Sequence, residues 1–369
     1  MMQEIGLNFA DMGWITGMSQ VGFLCSALAS GLATAKFGAA TIMRLSLICC
    51  AVSLGGVVFA NSYTLVIILM TSLGAAAASI WVPMAEMSQE LIPQKHRGKS
   101  IGLMSSGTAY GVTFNSLMIT SILPQFGWRS LWITAFGVTA TLAAISFLLF
   151  WRLGRQAIHP IESHSASRQF IESETIKEVV LSLPVRATAI VLVMMLLNGF
   201  SCLTFQTYLS SFLVTERELS IDDAGWAWRL IGIVGMVSGF AMGWLADRIG
   251  FRWTLRLNFT ALLLSATMLT WVSLSSLSLF VLSVSFGVAF YAVFGLVPAY
   301  ISRNFQGAKT TVVFAFGNIC LGLGGILGAM AGGWLKYVTG TFDWIYLAII
   351  VATALSFGLC SLLEDKDFS

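Results

Sequence analysis

The chain has 369 residues, of which 57% are hydrophobic and only 10% charged; its mean hydropathy is +0.85 and its formal charge +3. A soluble domain carries about 25% charged residues, so this composition cannot clothe a water-facing globule. Apolar stretches long enough to cross a ~30 Å hydrocarbon layer as helices recur along the whole length. The alternation over about 10 residues that marks a transmembrane barrel is absent. The chain reads as an all-α polytopic membrane protein.

Eleven spans are predicted in chain order, over 13–35, 41–60, 63–86, 100–123, 129–151, 188–213, 224–246, 254–274, 277–302, 311–334 and 343–363. Short connections join them, except for a polar stretch at 152–187 that serves as a central linker. The expected organisation is an N-terminal bundle over 1–151 with five spans and a C-terminal bundle over 188–369 with six.

Lysine and arginine are retained on the cytoplasmic side of a membrane. One set of alternate loops holds sixteen of the 20 basic residues, among them Lys36, Arg44, Arg97, Arg248, Arg252, Arg256 and Arg303. The other set holds Arg129, Arg217 and Lys336 alone. The first set is therefore expected in the cytoplasm, with the C-terminus inside and the N-terminus outside. No basic segment followed by an apolar stretch and a cleavage site marks a signal peptide. The six cysteines lie in apolar stretches without metal or disulfide spacing and read as packing residues. His96, His159 and His164 fall in polar loops, and no metal-ligand or nucleophile–base constellation lies in the spans. Neither a metal nor a cofactor is expected, nor is enzymatic activity.

The chain repeats itself. Shifted by 212 residues, Asp11, Gly13 and Trp14 fall on Asp223, Gly225 and Trp226; Gly31, Lys36, Gly38 and Arg44 fall on Gly243, Arg248, Gly250 and Arg256. A shift of 216 lays Phe126, Trp128 and Leu131 on Phe342, Trp344 and Leu347. Measured against the second copy, the first is short by about 25 residues, close to one helix and its turn at ~20 residues per span. The expectation is two six-helix halves, with the first helix of the first half missing.

The segment Gly243-Trp-Leu-Ala-Asp247-Arg248-Ile-Gly250 stands in the loop after the second helix of a half. Its earlier copy, Gly31-Leu-Ala-Thr-Ala35-Lys36-Phe-Gly38, has lost the acid. With the two halves, the long linker, Gly127-Trp-Arg129 and Arg97-Gly98, this pattern resembles the major facilitator superfamily, from Asp11 to about Leu363. The resemblance implies a two-bundle fold and secondary transport of a small solute by alternating access, with a site near the bilayer midplane between the halves. It also implies that the Gly243, Asp247, Arg248 and Gly250 loop acts in gating, bracing the halves on the cytoplasmic side. Asp247 is expected to pair with Arg248, Arg252 or Arg256, or to face a helix N-terminus. Positive-inside charge explains the arginines on its own, though not an acid framed by glycines.

The resemblance assigns the cavity mainly to the first and fourth helices of each half. Polar residues there are Asn198, Ser201, Thr204, Gln206, Ser72 and Tyr291, to which neighbouring helices add Tyr110, Asn115 and Asn318. Any of these can instead serve as hydrogen-bonding glue between helices; Asn198 and Gln206 are the preferred exceptions. Arg229 is the basic residue inside a span, and intramembrane charge points to function by default. It can meet an anionic substrate, reach the interface, or pair with Asp222 or Asp223. Glu86 is the carboxylate nearest a span interior, and no P-loop is present. The expected partners are a small organic solute, an anion if Arg229 faces the cavity, and the lipid bilayer. No nucleic acid is expected, and the chain reads as a monomer of a bacterial inner membrane. The alternatives are efflux of amphipathic compounds and a non-transporting, sensor-like or truncated relative.

Overall fold

The structure, a computed structural model, describes residues 1–91, 94–156, 176–305 and 308–363, with the helical side chains of 31–32, 35, 82, 85–91, 94–103, 105, 150–156, 176–177 and 308 left out. Most of the expected linker (157–175), His159, His164 and the tail 364–369 lie outside the described residues, as do the side chains of Ala35, Glu86, His96 and Arg97. The described chain is helical. A single turn, α1 (Met2–Ile5), precedes α2 (Phe9–Phe37), α3 (Ala39–Val58), α4 (Tyr63–Leu91), α5 (Gln94–Phe126) and α6 (Trp128–Gln156). A short α7 (Ile176–Leu181) leads to α8 (Val185–Thr215), α9 (Ile221–Ile249), α10 (Phe251–Trp271), α11 (Ser276–Asn304), α12 (Ala308–Thr339) and α13 (Asp343–Leu359). Eight of the eleven expected spans fall wholly within one of the long helices; 41–60, 254–274 and 343–363 run two to four residues past the ends of α3, α10 and α13. Among the described residues, eight helices are long and apolar enough to cross a membrane.

The repeat seen in the sequence is built into the helix ends. Both α2 and α9 open on a capping box, in which the side chain at the N-cap and the acid three residues on each accept the other's backbone N–H. The pairs are Asn8 with Asp11 and Ser220 with Asp223. Both helices run 29 residues. They stop at Gly38 (φ 82°, ψ 146°) and Gly250 (φ 88°, ψ 158°), a backbone region essentially reserved for glycine. The chain then turns at once into α3 and α10.

Two compact units result: the described residues of Met1–Ile101 with Ile122–Thr175, and Gly102–Ser121 with the described residues of Ile176–Ser369. The middle of α5 thus packs with the later helices. Within the first unit α2 packs on α4, and α3 on α4 and α6; within the second, α9 packs on α11, and α10 on α11 and α13. The pairings correspond helix for helix. The second unit adds α8 against α12.

Lipid tails are as apolar as leucine, so helices in a bilayer associate by close packing rather than by hiding from solvent. Glycines supply that approach. A Cβ on Gly22 of α2 would strike the Thr71 carbonyl of α4, and one on Gly74 would strike the Ser19 carbonyl. In the second unit a Cβ on Gly324 of α12 would enter the Leu196 carbonyl and the Phe200 amide of α8. There the α8 backbone relaxes into one π turn, Gly199–Leu203, where the carbonyl of Leu321 presses on Gly199.

Helix α9 shows how sequence pattern becomes orientation. Ala224, Ala227, Ile231, Gly235 and Ser238 are buried, whereas Trp226, Ile233, Val237, Phe240 and Trp244 form an exposed apolar stripe. Such a stripe, with Phe240 82% exposed, suits contact with lipid. At the helix ends, arginines cap carbonyls that have no helical partner. Arg129 donates to the Val58 carbonyl that ends α3, and Arg217 to the Leu269 and Thr270 carbonyls that end α10. Arg129 also pairs with Glu4, and this bond, aided by the Trp128 indole, holds the Glu4 carboxyl below its ordinary range. The half-buried pair of Lys336 and Glu216, at 2.5 Å, ties α12 to the segment after α8, and the same Glu216 oxygen accepts the Phe342 N–H.

Replacing Gly324 by alanine should lower the thermal midpoint of the purified protein by several degrees, because its neighbours are backbone and cannot yield. Gly243→Ala meets open space and gains helix propensity of up to about 1 kcal/mol, so its midpoint should hold or rise. Equal losses in differential scanning fluorimetry would show that close approach does not set this packing.

Candidate functional site

The acid of the repeated motif has a partner, though not one of the expected arginines. Asp247, in the last turn of α9, accepts from Arg303 Nη2 at 2.6 Å, a residue of the last turn of α11, 56 positions away. Arg248 instead lies over the Trp244 ring at 3.9 Å, and Arg256 bonds Ser361 and stacks on Trp253. Arg303 also sits over Phe251, the first residue of α10, at 4.9 Å. The pair therefore ties the ends of α9 and α11 to the start of α10. Both partners are well exposed, Asp247 at 62% and Arg303 at 41%. Of the two framing glycines, Gly250 is demanded by its positive φ, while Gly243 has no close neighbour.

Arg229 stands two turns into α9. It makes no ion pair with Asp222 or Asp223: Asp223 is engaged in the capping box, and Asp222 is exposed in the first turn. Its Nη2 donates to the Thr120 hydroxyl of α5 at 3.1 Å. That hydroxyl spends its own proton on the Ser116 and Leu117 carbonyls, which leaves a lone pair for the guanidinium. The Arg229 Nε is buried without a partner. Around it α5 and α9 meet closely: a Cβ on Gly225 would strike the Thr120 methyl, and one on Gly232 the Thr113 hydroxyl and the Ala109 carbonyl.

An aromatic row starts at Trp228, the residue before Arg229 in α9. The Trp228 indole N–H donates to the Ser210 hydroxyl at 2.7 Å, and its ring meets Phe286 edge-on. Phe286 stacks on Phe205 at 4.1 Å, and Phe290 bridges to Tyr291 and Phe294 along α11. Tyr291 lies flat against Gly235, and its hydroxyl is buried without a hydrogen-bond partner. Arg229 and Tyr291 are thus placed along one helix, the level of Gly235 lying about 9 Å further on at 1.5 Å per residue.

The other expected residues are not gathered here. Asn198, preferred from sequence, is 3% exposed and accepts from the Cys202 thiol within its own helix. Ser201 and Thr204 are buried without partners, and Thr204 touches Gly328 of α12. Gln206 is half-buried a turn beyond the π turn, and Ser72 is half-buried on α4 in the first unit. Tyr110 and Asn115 are exposed on α5, and Asn318 is exposed and donates to the Phe314 carbonyl one turn back. A cavity of about 210 Å³ in the second unit lies elsewhere, among Arg186, Ile190, Tyr300, Asn304 and Leu363. Among the described residues no group of histidines, cysteines and acids could hold a metal ion. Sequence reasoning missed Thr120 and Arg303. For Thr120 the signal is spacing: Ala109, Thr113, Ser116 and Thr120 form a small-residue stripe at helical intervals.

A model of the Major Facilitator Superfamily matches residues 1–329. The chain belongs to this superfamily. NiaP of Bacillus subtilis, whose name assigns it niacin/nicotinamide transport, is 25% identical over 99% of this chain and 88% of its own length. The 4-hydroxybenzoate transporter PcaK of Pseudomonas aeruginosa is 23% identical over 96% of this chain and 84% of its own. The multi-drug resistance efflux pump PmrA of Streptococcus pneumoniae is 24% identical over 96% and 86%. The nucleoside transporter NupG shares the fold, with a TM-score of 0.78 over 99% of this chain and 93% of its own at 13% identity. The chain is therefore a multi-pass membrane protein of a transporter family.

Because both members are exposed, the Asp247–Arg303 pair should add little to stability, as exposed pairs typically contribute 0.2–1 kcal/mol. In a double-mutant cycle of Asp247→Asn and Arg303→Gln, the coupling read from thermal unfolding should fall below about 1 kcal/mol. A coupling several times larger would mean that the pair is a structural clamp.

Proposed function

We propose that the protein carries a small organic anion across the membrane by alternating access, and that Arg229 meets the anionic group. The observation that carries this reading is a guanidinium inside a span that has a hydroxyl partner, a buried and unsatisfied Nε, and no carboxylate paired to it among the described residues. A charge at membrane depth is costly unless something compensates it, and a bound anion would do so. One relative points the same way, since 4-hydroxybenzoate is a carboxylate, while the name of NiaP covers both the acid niacin and its neutral amide. Efflux of amphipathic compounds is the second reading, favoured by the likeness to PmrA and by the Phe286–Phe294 aromatics.

In this account the basic ends of the helices lie in the cytoplasm, with the C-terminus inside, as the distribution of lysine and arginine dictates. The halves are the segments 1–151 and 188–369, joined by 152–187. The Asp247–Arg303 pair serves gating: it costs little to break, so it can open and close with the transport cycle.

Uptake of labelled small organic acids into proteoliposomes tests the reading. A hydrogen bond to a charged group contributes about 1.5–3 kcal/mol, so Arg229→Ala should reduce uptake by roughly 10- to 100-fold with normal membrane insertion. Arg229→Lys, which keeps the charge and loses the fork, should fall between. Undiminished uptake by Arg229→Ala would overturn the assignment.

A further inference from the structure

Each half of the chain sets one arginine at the same point of the repeat, beside an apolar surface that opens on the bilayer. Arg44 and Arg256 fall on each other in the 212-residue shift, and each is the sixth residue of its helix, α3 or α10. We propose that they are the headgroup ends of two phospholipid sites, one in each unit, which select anionic lipids of the phosphatidylglycerol type.

The second unit shows the site most completely. Helix α10 packs on α13, and Arg256 is half-buried there. Its Nη2 donates to the Ser361 hydroxyl just past α13, and the guanidinium lies over the Trp253 ring at 4.7 Å and the Phe357 ring at 5.8 Å. Arg252, also half-buried, precedes it by one turn on the same face of α10. The surface around these charges is apolar: Trp253, Leu257 and Leu264 of α10 are exposed, as are Leu355 and Phe357 of α13. They are exposed with α8 in place against α12 and α13.

The first unit repeats the arrangement. Helix α3 packs on α6, and the half-buried Arg44 lies over the Phe147 ring at 5.0 Å. Leu45, Ile48 and Val52 of α3 are exposed beside it.

Bilayer lipid is what covers an exposed apolar face of a membrane-spanning helix. Five residues into a helix is about 7.5 Å from its start, near the boundary between headgroups and acyl chains. A long arginine carries its charge outward from that level. A ring against its face engages none of its N–H donors, which lie in the guanidinium plane and match the oxygens of a phosphate. Basic pockets between spans bind lipid headgroups in this way. The acyl chains then lie along the exposed leucines. Arg252 and Arg256 together repel the ammonium of a zwitterionic headgroup, so the preference is for net negative charge, at about fivefold per arginine.

The test is native mass spectrometry of the full chain, stripped of carried lipid in mild detergent and offered dioleoyl phosphatidylglycerol or dioleoyl phosphatidylcholine. The expected wild type holds two phosphatidylglycerol molecules at collision energies that remove phosphatidylcholine. Arg44→Gln and Arg256→Gln should each hold one, and the double variant none, while the exposed Arg186→Gln should hold both. Arg256→Lys, which keeps the charge, should hold the second lipid more weakly than wild type and more firmly than Arg256→Gln. Lipid retention separates this role from a clamp between α10 and α13, which would move the thermal midpoint alone. Equal retention of the two lipids by the wild type, which needs no variant to fold, would overturn the proposal. So would retention of both phosphatidylglycerol molecules by either glutamine variant.

Discussion

The structure depends on how closely helix backbones can approach one another in a medium that does not push them together. Where Gly22 and Gly74 sit in the first unit, and Gly199, Gly232 and Gly324 in the second, any side chain would occupy the space of a neighbouring carbonyl or amide. Contact at that range gives dispersion along the full length of two helices, which is the main attraction available between spans in lipid. It also fixes register, because a carbonyl fits only over a glycine. The π turn at Gly199–Leu203 lies where the backbones of α8 and α12 approach most closely.

Charge obeys a second constraint. With 37 charged residues in 369, nearly all can be placed near helix ends, and the described ones other than Arg229 lie within about one and a half turns of one. Arg129 and Arg217 cap carbonyls, Lys336 and Glu216 neutralise each other, and Asp247 with Arg303 joins helix ends at the basic face. Arg229 departs from that order, and a departure within a span is a reason to look for function. Its surroundings are a hydroxyl and glycines, and among the described residues no acid pairs with it. Superfamily membership supplies transport; this residue supplies the argument for what kind of solute.

Much of this was legible in the sequence. Hydropathy located all eleven long helices, since twenty apolar residues leave a chain few alternatives. The 212-residue repeat foretold the matched caps at Asp11 and Asp223 and the matched turns at Gly38 and Gly250. Pairing across helices was not legible. Asp247 was expected to meet an arginine close by in sequence, yet α9 and α10 diverge from their turn, and the end of α11 brings Arg303 beside it from 56 residues away. Asn198 was expected to face a cavity because an unpaired amide is costly. In the structure it is buried in α8 and its Oδ1 accepts from a thiol one turn on, a contact that hydropathy cannot register. Thr120 was passed over because a threonine in a span is ordinary until the arginine opposite it is known.

The central claim is that Arg229 presents a positive charge awaiting an anion, and it is tested most directly by binding. Thermal unfolding of the purified protein would be followed with paired ligands that differ only in charge: nicotinate against nicotinamide, and 4-hydroxybenzoate against its amide. A ligand that binds the folded state alone raises the midpoint in proportion to its affinity. The account predicts that the acids raise it, that the amides do not, and that the difference vanishes in Arg229→Gln. Equal stabilisation by acid and amide, or an acid shift that survives in Arg229→Gln, would contradict it.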